Sequence, residues 1–143
     1  MKPEFKEAVT PADLEAVKSV RLRVFVEEQG VPPEIEMDEH DSEALHVICL
    51  VGGRAVGTGR LVGMPDGMKL GRVAVLKEHR ARGLGTGIVR WLLRRATEAV
   101  HTGVYANVQL GAVDFYKKLG FEATGPQFLE AGIEHVRMEW KHR

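Results

Sequence analysis

The stretch from Leu70 to Val100, LGRVAVLKEHRARGLGTGIVRWLLRRATEAV, constrains this chain more than any other. A short apolar β-prone run, Val73 to Leu76, gives way to the polar, basic segment Lys77 to Arg82 and then to Gly83, Gly85 and Gly87. From Ile88 the apolar residues recur at Leu92, Ala96 and Ala99, with Val89, Leu93 and Val100 on the flanking rows. Arg90, Arg94, Arg95 and Glu98 take the other side, a helical period. The stretch predicts strand, basic glycine-rich turn, helix. Glycine at 83 and 85 lets the backbone approach a ligand closely, and the unpaired amides at the positive end of a helix suit an anion such as phosphate. A Walker loop needs Lys after its last glycine, where this chain has Thr86, Gly87 and Ile88. A dinucleotide fingerprint needs GxGxxG directly after the strand, and Ile88 breaks that pattern. A solvated basic loop capping the helix is the plain alternative.

Two short motifs point further. RARGLG, Arg80 to Gly85, fits the RxxGxG pattern, and AVDFYKKLGF, Ala112 to Phe121, fits FYxxxGF about one helix and one strand later. Together they resemble the GNAT superfamily of N-acetyltransferases, whose acyl-CoA site is built from these two motifs. VFVEEQGVPPEIEMDEHD, Val24 to Asp41, is similar to a bacterial branch of that superfamily carrying VFxxEQ and an ExD acidic run.

The chain has 143 residues, enough for one core, and is expected to be a single domain over 1–143. Lys plus Arg and Asp plus Glu both number 20, which argues against a nucleic-acid partner. The charges are segregated, however. Carboxylates stand at 27, 28, 34, 36, 38, 39, 41 and 43 with no intervening Lys or Arg, whereas Arg72 to Arg95 is basic apart from Glu78. The lone Cys49, in the apolar run VICLV, excludes an internal disulfide framework and reads as a buried strand residue. MKPEFKEAVT lacks the apolar centre of a signal peptide, and no run reaches the roughly 18 apolar residues of a membrane span. A cytoplasmic protein is expected.

Along the chain, Glu4 to Val9 reads as a short edge strand. Thr10 as N-cap, Pro11 at the first helical position and Asp13 three residues after the cap start a helix. Leu14, Val17, Val20 or Arg21, and Val24 carry it toward Glu28, with a break left open, before Gly30, Pro32 and Pro33 end it. Glu34 to Ala44 is an acidic loop. It reads either as solvated surface or as an acidic wall attracting a cationic amine. It has neither the DxDxDG calcium spacing nor another metal-ligand pattern. LHVICLV and RAVGTGRLVG, separated by Gly52 and Gly53, form a hairpin, and Pro65, Asp66 and Gly67 make the next turn. Val104 to Val108 is a short strand. Ala112, Phe115, Tyr116 and Leu119 mark a helix closed by Gly120, and alternation after Ile133 marks a final strand. The order predicts an α/β fold with a mixed, mostly antiparallel central sheet flanked by helices, and by resemblance the GNAT fold.

The resemblance assigns roles. Backbone amides near Val73, Ala74 and Val75 would hold the pantetheine arm of acetyl-CoA and polarise its carbonyl. Arg80, Ala81, Arg82, Gly83, Leu84, Gly85 and Thr86 would cradle the pyrophosphate, although Arg80 and Arg82 read equally well as surface. Tyr116 matches the family's general acid. A phenol titrating near 10 stays protonated at neutral pH and can donate to a leaving thiolate; a core aromatic is the alternative. Asn107 and Gln109 match positions that contact the cosubstrate or cap the next helix, and Lys117 or Lys118 would reach its 3′-phosphate or stay solvated. Glu36 and Glu34 are the leading candidates for the base that deprotonates the amine, beside Glu28, Asp38, His46, His135 and a water chain. The expected activity is acetyl-CoA-dependent transfer to a small cationic primary amine. A protein α-amine or lysine acceptor and a noncatalytic acyl-CoA sensor are the alternatives. No metal, nucleic acid or membrane partner is expected, and a homodimer is left open.

Overall fold

The computed structural model describes residues 2–98 and 103–141. Its frame is a seven-stranded sheet in the order β1-β2-β3-β4-β5-β7-β6. The strands are β1 (Glu4–Glu7), β2 (Leu45–Val51), β3 (Arg54–Met64), β4 (Gly67–Val75), β5 (Val104–Gln109), β6 (Phe121–Glu130) and β7 (Ile133–Trp140). All neighbours run antiparallel except β4 and β5, so the sheet is mixed and mostly antiparallel, as expected. Four α-helices, α1 (Pro11–Arg21), α2 (Pro33–Glu36), α3 (Leu84–Glu98) and α4 (Val113–Lys118), complete the frame.

Local chemistry accounts for most boundaries. Thr10 caps α1 by accepting from the Asp13 amide, and the Asp13 carboxylate accepts in return from Val9 and Thr10. Those amides pull the Asp13 carboxyl down to about 2. Gly52 and Gly53, with φ of 59° and 80°, supply the two left-handed residues of the β2–β3 turn. The open break in the first helix takes a definite form. After Arg21 the coil widens into a π-helical stretch, Leu22–Glu28, closed by the Gln29 amide on the Val24 carbonyl at 3.0 Å. The stretch delivers Phe25 and, just beyond it, Gln29 to a cavity that opens beside β4.

The segment expected to be an acidic loop is largely folded. It holds the single turn of α2 and a 3₁₀ turn, Glu39–Ser42, capped by Asp38 and Asp41. The helix after the glycine run also starts earlier than its apolar period suggests, at Leu84, so Gly85 and Gly87 lie within its first turn. A Cβ on Gly87 would overlap the Phe5 ring. Ala99 and Val100, which extend the apolar rows, lie outside the described residues.

α3 seats closely on the sheet because β3 has no side chains beneath it at Gly57 and Gly59. A Cβ there would stand 2.9 Å from Ile88 Cδ1 and 2.8 Å from Ile88 Cγ2, respectively. Ile88 and Leu92 are fully buried at that contact, each contributing about 1.5–3 kcal/mol. Strand alternation sends Val56, Thr58 and Arg60 to the opposite face, where Arg60 reaches Asp38 and Asp41. Cys49 is buried in β2, and burial pushes its thiol up to about 11. Among the described residues, no helix is long and apolar enough to cross a membrane.

Candidate active site

The site exists because one pair of strands parts. β4 and β5 pair only at Met68 with Val104 and Lys69 with Tyr105, and beyond those positions the β4 edge is open. On its other side β4 carries an irregularity: Thr58 pairs with Ala74 and Arg60 with Gly71, so Arg72 and Val73 together face Gly59. Arg72 takes the left-handed conformation, φ 51°, as an extra residue in a bulge does. Arg72 and Val73 thus depart from one-to-one pairing with β3, and β5 does not pair with them. A cavity of about 780 Å³ fills the opening.

The strand residues expected at the site divide by alternation: Val73 and Val75 line the cavity, whereas Ala74 is packed in the core. Below them the chain makes the 3₁₀ turn Lys77–His79 and two left-handed steps, Ala81 at φ 65° and Gly83 at φ 77°, before entering α3. Left-handed backbone costs a non-glycine residue about 1–2 kcal/mol, and such strain is retained where a loop must present its backbone to a ligand. Leu84, Gly85 and Thr86 line the cavity at the end of α3 where amides have no partner within the helix. This wall of backbone donors fits a phosphate-bearing chain that also runs along the open β4 edge. Arg82 is exposed and outside the lining. Arg80 lines it, with its guanidinium forked onto Glu28 at 2.6 Å twice and its Nε donating to the Val75 carbonyl at 2.9 Å. The Arg80 charge holds the Glu28 carboxyl below the usual range.

Tyr116 stands at the cavity wall, steadied by edge-to-face contacts with Phe115 and Phe121 at centroid distances of 5.1 and 5.2 Å. Gly85 leaves room for the Phe115 ring, which joins the two sequence motifs in one contact. The Tyr116 hydroxyl makes no hydrogen bond to another described residue, and burial pushes its pKa up, so the phenol keeps its proton. Asn107 and Gln109 also line the cavity; Asn107 donates to Glu130 at 3.2 Å and Gln109 to Gln29 at 2.9 Å across the opening. Lys117 and Lys118 are exposed and outside the lining.

In the segment expected to form an acidic wall, Glu36, Asp38 and Asp41 are engaged by arginines from α1, β3 and β4, whereas Glu34, Glu39 and Glu43 are exposed. Arg21, 2% exposed, donates to Glu36 at 2.5 Å and to Asp41 at 2.6 Å. Arg60 spans Asp38 and Asp41 at 2.8 Å each, and Arg72 donates to the Glu36 carbonyl and to Asp38 at 3.2 Å. The Arg60 hydrogen bond holds the Asp38 carboxyl below its ordinary range. Burial alone would raise Asp41, but hydrogen bonds from Arg21, the Asp38 amide and Arg60 outweigh it and hold its pKa well down. Glu36 is 1% exposed, with its second oxygen buried and unpartnered at the cavity wall. Glu34 is exposed on α2 and lies outside the lining. Arg21, Arg60 and Arg72 went unnoticed as site residues in the sequence, since no local pattern marks an arginine that will meet an acid from another element. Among the described residues, no group of His, Cys, Asp and Glu is arranged to hold a metal ion.

Known proteins are similar to this chain in sequence and in fold. The family model described as an acetyltransferase (GNAT) domain matches residues 8–142. The uncharacterized N-acetyltransferase YjcF of Bacillus subtilis (strain 168) is 44% identical over 121 residues, covering 83% of this chain and 86% of that protein. An acyl-CoA N-acyltransferase from Pseudomonas aeruginosa superposes with a TM-score of 0.84 at 26% identity, over 98% of this chain and 99% of that one. Escherichia coli ElaA shares the fold with a TM-score of 0.87 at 23% identity, over 98% of this chain and all of that one. The parted strands, the backbone-lined loop and a match spanning nearly the whole chain converge: this protein belongs to the GNAT family of N-acetyltransferases, enzymes that use acetyl-CoA as cosubstrate.

Proposed function

We propose that the enzyme transfers the acetyl group directly from acetyl-CoA to the primary amine of a small molecule. One observation carries this: the bulge at Arg72 and Val73, the left-handed loop and Tyr116 all border one cavity between parted strands. Acetyl-CoA, when bound, supplies a thioester carbonyl ready for attack. The β4 edge at Val73 and Val75 binds the amide-bearing arm by strand-like hydrogen bonds, and the amides of the Ala81–Gly83 loop and of Leu84 to Thr86 receive its phosphates. The bulged backbone is the donor for the oxygen that gains charge as the amine attacks. Tyr116 gives its proton to the leaving thiolate.

The cavity, about 780 Å³, favours a small acceptor over a protein segment. Its cationic character was expected from unpaired acids. With those acids paired to Arg21, Arg60 and Arg72, we assign a small amine without a preference of charge. Glu34, outside the lining, and Glu36, bound to Arg21, are not assigned the base. The test is thiol release from acetyl-CoA with cationic, neutral and anionic amines and basic peptides, with Tyr116→Phe in parallel. Release with a small amine, lost in the variant, is expected. Release with peptides alone would transfer the assignment to a protein acceptor, and acetyl-CoA binding without release to any acceptor would favour a sensor.

A further inference from the structure

We propose that His135 is the base that takes the proton from the acceptor amine; this rests on the acetyltransfer assigned above. Four carboxylates at or beside the cavity are engaged by arginines, and a fifth, Glu130, is held by Asn107 and stands beside the His135 ring. Glu28 is forked onto Arg80, Glu36 is bound to Arg21, and Asp38 and Asp41 share Arg60. A carboxylate held by a guanidinium favours its charged form and is a weak proton acceptor at neutral pH.

His135 differs from these groups. It lines the cavity from β7, 6% exposed, with its ring stacked on Phe128 at a centroid distance of 5.9 Å. Its Nδ1 lies 2.7 Å from the Ile133 carbonyl oxygen. A carbonyl can only accept, so Nδ1 carries the hydrogen, and in the neutral ring the lone pair belongs to Nε2. Nε2 stands 3.7 Å from Glu130 Oε2. That is too far for a hydrogen bond, yet near enough for the carboxylate to steady an imidazolium. Glu130 is itself held by Asn107 at 3.2 Å, so β5, β6 and β7 each contribute one residue to the arrangement. Two other described histidines near the brace and the loop lack it. His46 spends Nε2 on the Asp41 carbonyl at 3.0 Å and is outside the cavity lining. His79 borders the cavity, but its Nδ1 is buried without a partner and leaves its tautomer undirected. The charged groups sharing the cavity with His135 are Glu130 from β6, Lys69 and Arg72 from β4, Arg60 from β3, Glu36 and Asp38 from the α2 segment, and Arg80 from the phosphate loop.

The step balances as follows. The acceptor ammonium passes one proton to His135 Nε2. The freed nitrogen bonds to the acetyl carbon, and the carbonyl electron pair moves to oxygen. As that pair returns, the C–S bond breaks and the sulfur takes the Tyr116 proton. The resulting phenolate recovers a proton from the new amide nitrogen, and the imidazolium releases its own to solvent. An ammonium and a thioester become an amide, a thiol and one proton.

The test measures kcat/KM between pH 5 and 9 for the full chain, using the amine that gives thiol release, with wild type, His135→Ala, His135→Asn and, as a control outside the cavity, His40→Asn. A protonated imidazole has no lone pair left at Nε2 to accept a proton. Wild type and His40→Asn should therefore lose activity toward low pH. Both His135 variants should fall about 100-fold or more at neutral pH, lose that acid limb and still bind acetyl-CoA, and added imidazole should restore part of the His135→Ala activity. His135→Asn carries the test if His135→Ala fails to bind acetyl-CoA. A His135 variant that binds acetyl-CoA and retains wild-type turnover with its acid limb overturns the proposal. A wild type that releases no thiol with any amine overturns the acetyltransfer assignment, and this inference with it.

Discussion

Replacing Arg21 by Met tests the central electrostatic claim, that the acidic segment is held in place by buried arginines. Arg21 is 2% exposed and contributes four hydrogen bonds, two to Glu36 and two to Asp41. Asp41 keeps Arg60 at 2.8 Å in the variant, but Glu36, 1% exposed, is left with only Arg72 at 3.8 Å. Removing one partner of a buried pair costs about 3–5 kcal/mol, because the other charge stays desolvated. At about 2.1 cal/mol/K of unfolding entropy per residue, a chain of this length loses about 3 °C per kcal/mol, so Tm should drop by about 10–15 °C at pH 7. The pH dependence has a fixed sign. Asp41, which Arg21 helps to hold, titrates below the ordinary range when folded. Its contribution is therefore complete above the unfolded carboxylate value of about 4, and is lost as pH falls toward the folded value. Melts followed by circular dichroism should show a full gap between wild type and Arg21→Met at pH 7 and 5, narrowing below about pH 4. Arg21→Met with Glu36→Met should be less destabilised than Arg21→Met alone, since no stranded charge remains. A loss under about 1 kcal/mol at pH 7, or a double variant that merely sums the single losses, would refute the claim.

Three further outcomes can be checked by steady-state kinetics and thermal melts. Tyr116→Phe should lower kcat by about 100-fold or more with little change in Tm, because the ring contacts with Phe115 and Phe121 persist and the hydroxyl has no partner among described residues. Gly83→Ala should cost about 1–2 kcal/mol and raise KM for acetyl-CoA, since φ is 77° there while nothing lies within 4 Å of the added Cβ. Gly59→Ala should cost about 1–3 kcal/mol by overpacking, as the new Cβ would stand 2.8 Å from Ile88 Cγ2 and 3.0 Å from Leu92 Cδ1. It should also raise KM for acetyl-CoA by displacing the start of α3.

The elements legible in the sequence are those whose cause is local. The Thr10 cap acts over three residues, the Gly52–Gly53 turn over two, and the period from Ala112 to Leu119 over two helical turns. The sequence pattern marks a strand after Ile133 but not β6 before it. β6 is an edge strand, mostly exposed, with a register break between Ala123 and Gln127, so little hydrophobic alternation marks it. The start of α3 was misplaced for a different reason. Gly85 and Gly87 read as a turn, and only the Phe5 ring, which an added Cβ would overlap, explains glycine at 87 within a helix.

The sequence by itself determined the strand, loop and helix around Gly83 and the position of Tyr116 on a helical face, because backbone conformation and amphipathic period are set by neighbours along the chain. Only the tertiary structure decided what the charges do. Arg72 meets the Glu36 carbonyl across 36 residues and Arg60 meets Asp38 across 22, so Glu36, Asp38 and Asp41 become part of an arginine-bound brace. The orientation of His135 is likewise tertiary. Its ring turns on a local carbonyl at Ile133, but the cavity it borders exists only because β4 and β5, distant in sequence from β7, part beyond Lys69 and Tyr105. Ion pairing and proton transfer depend on distances of a few ångströms between groups the chain brings together last, and a one-dimensional pattern does not encode them.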